Sequence, residues 1–97
     1  GKQMKWLEII ELRSVDRKRE QLESILLKLI EEVDKETQKK SIRAFSRSKL
    51  DTDFSMHLFH DSKKVKYNGT PLGLRLSSAL KEFGFVNHSI WTELHSK

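Results

Sequence analysis

His57, Arg43, Arg47, Glu8, Asn87 and Trp91 are the residues of this 97-residue chain whose types suit a shared chemistry. An imidazole takes a proton near neutral pH, a guanidinium holds a carboxylate or a developing enolate, and an indole offers a flat wall that excludes water. They form no local signature, so they act together only if the fold carries them to one surface. A metal reading of the imidazoles is weak. His57 and His60 stand three apart in an extended segment, where alternation sends them to opposite faces and they cannot grip one ion. His88 and Asp61 are the nearest helpers, and His60 and His88 read better as strand-end or hydrogen-bonded core positions. The chain has no Cys, which removes thiolate ligands, thiol nucleophiles and disulfides and fits a reducing cytoplasm. No metal and no cofactor is expected.

Hydrophobic periodicity names the elements that must position these residues. It has period 2 over residues 5–13, a helical period from Leu22 to Val33, period 2 over 42–47 and 54–60, a helical period between Thr70 and Gly84, and period 2 over 85–94. That order is an α+β, ferredoxin-like β-α-β-β-α-β chain. It forms a four-stranded antiparallel sheet with two helices on one face. Residues 4–97 make one domain, and Gly1, Lys2 and Gln3 are set aside as a cloning remnant or disordered start. Ser14 or Asp16 is the expected cap of the first helix, which frays across residues 34–40, where no apolar residue continues the stripe. Thr70 as N-cap, Pro71 in the first turn and Gly84 as a left-handed C-cap bracket the second helix. Its buried stripe is Leu72, Leu76, Ala79, Leu80 and Phe83.

Alternation sorts the strand residues into two faces. Phe54, Met56, Leu58, Val86, Ile90, Leu94, Ile42 and Ala44 are the more apolar set and belong against the helices. The other face carries Arg43, Phe45, Arg47, Ser55, His57, Phe59, Asn87, Ser89, Trp91 and Glu93. For the first strand, Leu7 and Ile9 are assigned to the helix side, leaving Trp6, Glu8, Ile10 and Leu12 on the open face. Six large apolar side chains would then stand in water: Trp6, Ile10, Leu12, Phe45, Phe59 and Trp91. At roughly 1.5–3 kcal/mol each, leaving them exposed forgoes on the order of 10 kcal/mol. A patch of that kind marks an interface, and a second copy of the same sheet is the economical cover, so a homodimer is expected.

On element order and this two-sided sheet the chain resembles the dimeric α+β barrel superfamily, the group of the antibiotic-biosynthesis monooxygenase-like proteins, over Met4 to Leu94. The resemblance implies two ferredoxin-like sheets packed face to face as a barrel, with a pocket in each subunit. It also implies a range of activities from cofactor-free oxygenation of aromatic compounds to none. Glu8 stands where the haem-degrading members have a polar amide, and the helix after the third strand offers no His, so haem degradation is not carried over. Three other users of this element order lack their marks here. The third strand has no Gly and aromatic spacing for RNA stacking, the turn after the first strand has no Gly-rich loop for acylphosphate, and metal chaperones need two Cys. Amino-acid-binding regulatory domains remain the runner-up.

Two function classes follow. One is a small-molecule enzyme or binder, with His57 as the catalytic candidate and Arg43, Arg47, Glu8, Asn87, Trp91, Phe59 and Trp6 around a planar, anionic or enolisable ligand. The other is a non-catalytic regulatory or structural dimer in which Arg43 and Arg47 pair with Glu8 and Glu93. The net charge of +5 is mostly interleaved along helices, so no specific nucleic acid is expected. Lys63, Lys64 and Lys66 make a denser cluster beside Tyr67, read first as a solvated loop and second as a seat for an anionic partner. The longest apolar run, Ile25-Leu26-Leu27, is too short to span a bilayer, and a cytoplasmic location is expected.

Overall fold

The computed structural model describes residues 3–15 and 18–95. Gly1, Lys2 and the proposed cap Asp16 lie outside them. Strand β1 (Met4–Ser14) leads to helix α1 (Arg19–Thr37), strands β2 (Ile42–Ser46) and β3 (Asp53–Ser62), helix α2 (Pro71–Leu80), a 3-10 turn (Lys81–Phe83) and strand β4 (Gly84–Thr92). The sheet is antiparallel in the order β2-β3-β1-β4, so the expected ferredoxin-like architecture is present. No helix among the described residues is long and apolar enough to cross a membrane.

Helix α1 buries Leu22, Leu26 and Val33 from its apolar stripe. The expected cap Ser14 does not open it. Ser14 is still in β1, and Lys18 occupies the cap position with no side-chain hydrogen bond. The start is held from outside, because the Arg19 guanidinium bonds Glu23 one turn on, Asp51 in the hairpin and Ser46 at the end of β2. These carboxylates raise the Arg19 pKa further. Helix α1 runs on to Thr37 despite its polar end, and Gln38 closes it in the left-handed region (φ 57°), its N–H donating to Asp34 O at 2.8 Å.

Helix α2 begins as its sequence implies. Thr70 Oγ1 accepts from the Gly73 N–H at 3.0 Å, and Pro71 fills the first turn, where no N–H is needed. Its buried side is Gly73, Leu76, Ser77 and Leu80, whereas Ala79 is exposed. Gly84 is no left-handed cap. Its backbone is extended (φ 162°), and glycine is required because a Cβ there would sit 2.0 Å from the Arg13 carbonyl oxygen where β4 joins β1.

The larger correction concerns β1. Trp6, Glu8, Ile10 and Leu12 face the helices and are buried, Ile10 and Leu12 packing with Leu22, Leu26, Met56, Leu58, Leu76 and Leu80. Leu7 and Ile9 are on the open face with Lys5, Glu11 and Arg13. The physical reason is charge. The set containing Leu7 and Ile9 includes three ionised side chains, and burying those would be far harder than burying Glu8 alone. Leu94 is corrected as well, since β4 ends at Thr92 and Leu94 lies beyond it, exposed.

Candidate functional site

The open sheet face is laid out by strand register. Arg43 (β2) stands opposite His57 (β3), which stands opposite Ile9 (β1), itself opposite Ser89 (β4). The neighbouring row is Phe45, Ser55, Glu11 and Asn87, and the row beyond His57 on the other side is Phe59, Leu7 and Trp91. Five sequence-derived candidates, Arg43, His57, Phe59, Asn87 and Trp91, therefore share one surface. Arg47 lies at its hairpin end, just past β2. Glu8 and Trp6 belong to the opposite face.

His57 is the centre of this face. Its Nε2 is 3.2 Å from Ser55 Oγ, and its ring lies between Phe45, with centroids 4.7 Å apart, and Phe59, at 6.3 Å. Partial burial pushes the imidazole below its ordinary pKa, only partly opposed by the charge of Glu11. A neutral ring at pH 7 is the form that accepts a proton. The Arg43 guanidinium sits 5.9 Å from the Phe59 ring centroid and has no carboxylate partner among the described residues. Asn87 Nδ2 donates to Glu11 Oε1 at 3.3 Å, and Trp91 Nε1 to Ser89 Oγ at 2.9 Å.

At the hairpin end the face opens into a groove of about 860 Å³ between Phe45, Ser55, Glu11, Asn87 and Phe85. Arg13 and Arg47 enter it but share Asp53, at 3.4 and 3.2 Å. Desolvation alone would raise the Asp53 carboxyl, but bonds from Thr52, Arg13 and Arg47 together outweigh it and hold the group below the usual aspartate range. His57 is one row away and does not line this groove.

A second polar centre lies beneath the N-terminus of α2: sequence reasoning read His60 and His88 as strand-end or hydrogen-bonded core positions, as they are, but missed Glu8 as their partner. Glu8 is completely buried, and each carboxylate oxygen accepts two hydrogen bonds. Oε1 takes the Thr70 N–H (3.0 Å) and His88 Nε2 (2.9 Å), while Oε2 takes the Thr70 hydroxyl (2.6 Å) and His60 Nε2 (2.7 Å). A carboxylate only accepts, so both rings present Nε2–H. Burial alone would raise the Glu8 pKa, but bonds from Thr70, His60 and His88 outweigh it and hold the carboxyl below its ordinary range. The helix N-terminus favours the same charge. Gly73 admits the carboxylate, since a Cβ there would lie 2.0 Å from Oε1. This centre ties β1, β3, β4 and α2 together. Two signals pointed to it: Glu8 has the parity of Ile10 and Leu12, and His60 and His88 have the parity of buried residues on their own strands.

No family model matches the chain, and neither a curated protein nor a solved structure matches it.

Proposed function

We propose that this protein is a homodimeric α+β barrel that holds a small planar, acidic molecule between two facing sheets, in the manner of the monooxygenase-like group it resembles. The observation that carries this reading is the uncovered sheet face. Phe45, Phe59, Phe85 and Trp91 remain 48%, 44%, 73% and 57% exposed around a polar centre of His57, Ser55 and Arg43. Between 44% and 73% of each residue is still open to water, so covering the four would contribute on the order of 5 kcal/mol. A second sheet is a fitting cover because the face carries both signs, Arg43 and Lys5 against Glu11 and Asp61, and can complement itself about a two-fold axis. Phe45 and Phe59 supply flat walls, Arg43 the charge for an acidic group, and neutral His57 a proton acceptor.

Titration with 4-hydroxybenzoate, followed by thermal melting and by His57 resonances in NMR, tests this. A rise in Tm with a shift at His57, both lost in Arg43→Ala, supports the reading. If planar acids leave the parent's Tm and His57 unchanged, the ligand reading fails. One observation favours a non-catalytic dimer as the second reading: Arg13 and Arg47 are tied to Asp53, which leaves the large groove with Glu11 and no unpaired positive charge to receive an acidic ligand. Turnover abolished by His57→Ala with retained binding would separate an enzyme from that alternative.

A further inference from the structure

We propose that the cleft at the free edge of β3, walled by Lys39, Lys63, Lys64 and Lys66 with His60 in its floor, is a binding site for a small phosphorylated molecule. Strand β2 first pairs at Ile42, opposite Leu58, and the ladder finishes with the Phe59 N–H donating to Ser41 O at 2.9 Å. Strand β3 continues to Ser62, so its last residues have one edge that no strand covers. Alternation aims the Asp61 N–H to the same side as that of Phe59, into the space where β2 is missing. There the surface forms a cleft of about 540 Å³.

Positive charge reaches this cleft from two separate segments, the approach to β2 and the loop after β3. None of the four lysines has an ion-pair partner among the described residues, as is also true of Arg43 and other exposed lysines, and what sets these four apart is that they line one cleft. Asp61 is the one carboxylate in the lining. Glu8, behind it, is saturated by its own hydrogen bonds. The floor is rigid, because His60 is held by Glu8 at 2.7 Å and stacked on Trp6 at 4.2 Å, and Trp6 Nε1 donates to Ser62 Oγ at 2.9 Å. Unpaired ammonium groups and a free backbone N–H around a fixed floor suit phosphoryl oxygens, which accept from both. A nucleic acid is the poorer fit. The charges converge on one cleft instead of following a stripe, and the exposed Tyr67 does not line it. Phe59 and Asp61 at the margin of the cleft belong also to the open face, but the lysines and His60 take no part in the reading of that face.

NMR titration of the full chain with inorganic pyrophosphate at physiological salt tests the proposal. Saturable one-to-one shifts confined to Lys39, His60, the Asp61 amide and residues 63–66 are expected. Affinity should fall at least about tenfold, the loss of one contact of ordinary strength, in the triple variant K63A/K64A/K66A and separately in K39A. All four side chains are exposed, so the variants should keep the parent's fold, which the unperturbed resonances of the core will report. Shifts that never saturate, that spread over lysines elsewhere, or that survive both variants would overturn it. Tighter binding of a single-stranded RNA to the same residues would overturn it too, by assigning the lysines to a polymer.

Discussion

Replacing Glu8 by Gln should destabilise the protein by about 2–3 kcal/mol, although the substitution changes neither size nor shape. The carboxylate receives two donors on each oxygen. An amide presents one oxygen and one NH2, so in either orientation the two donors that bonded the replaced oxygen must change role or lose their acceptor. If the NH2 replaces Oε1, it meets the Thr70 N–H, which cannot turn. If it replaces Oε2, His60 can change tautomer and Thr70 Oγ1 can accept, but the threonine proton then loses its acceptor. Hydrogen bonds to charged groups contribute about 1.5–3 kcal/mol each and are not additive around one acceptor. One effective loss, together with the lost charge at the α2 N-terminus, gives the stated range. In a chain of this size that is a fall in Tm of roughly 10–20 °C, read by thermal and urea denaturation at matched protein concentration. The effect should also depend on pH. The folded pKa of Glu8 lies below that of the unfolded chain, about 4.3, so its contribution is fully present above that value and is lost as pH falls through the folded pKa. The gap between parent and Glu8→Gln should therefore close in acid. A Gln variant within about 0.5 kcal/mol of the parent at neutral pH, or a gap unchanged in acid, would show that the carboxylate is not holding α2 in place.

Gly73→Ala drives a methyl into Glu8 and should lose about 2 kcal/mol or more by urea denaturation; a neutral result would contradict the close approach. His57 should titrate below the ordinary histidine value of about 6.5 when followed by NMR, and the stability linked to it should be present above that value and lost as pH falls through the folded pKa. His57→Ala should change stability by less than about 1 kcal/mol, because the ring is only partly buried; a loss of several kcal/mol would make the residue structural. Breaking the Arg47 pair with Arg47→Ala should cost no more than about 1 kcal/mol, since the arginine is exposed, which a melting curve will read.

The architecture was legible because its periods change cleanly. Thr70-Pro71 announced α2, and parity placed His57 and His60 on opposite faces as observed. The start of α1 was not legible, because its anchor is Arg19 reaching Asp51 and Ser46, a contact between segments distant in sequence. Strand β1 misled for a related reason. It carries large apolar residues at both parities, and a lone Glu8 looks like a solvent-facing residue until the partners His60, His88 and Thr70 are brought beside it. Counting charges would have given the right face, since Lys5, Glu11 and Arg13 flank Leu7 and Ile9. The open face has different members from those expected: Phe85 is exposed beside Phe45, Phe59 and Trp91, with Leu7 and Ile9 half-buried, while Trp6, Ile10 and Leu12 are in the core.

Whether that face is covered by a second copy is answered most directly by sedimentation equilibrium of the parent chain and of Trp91→Asp and Phe59→Asp. The parent should be a dimer at micromolar concentration. Each aspartate should convert it to a less stable monomer or to unfolded chain, while the same change at the exposed Leu74, on α2, leaves the dimer intact. A parent that sediments as a stable monomer across that range would contradict the barrel, and with it the enclosed site around His57.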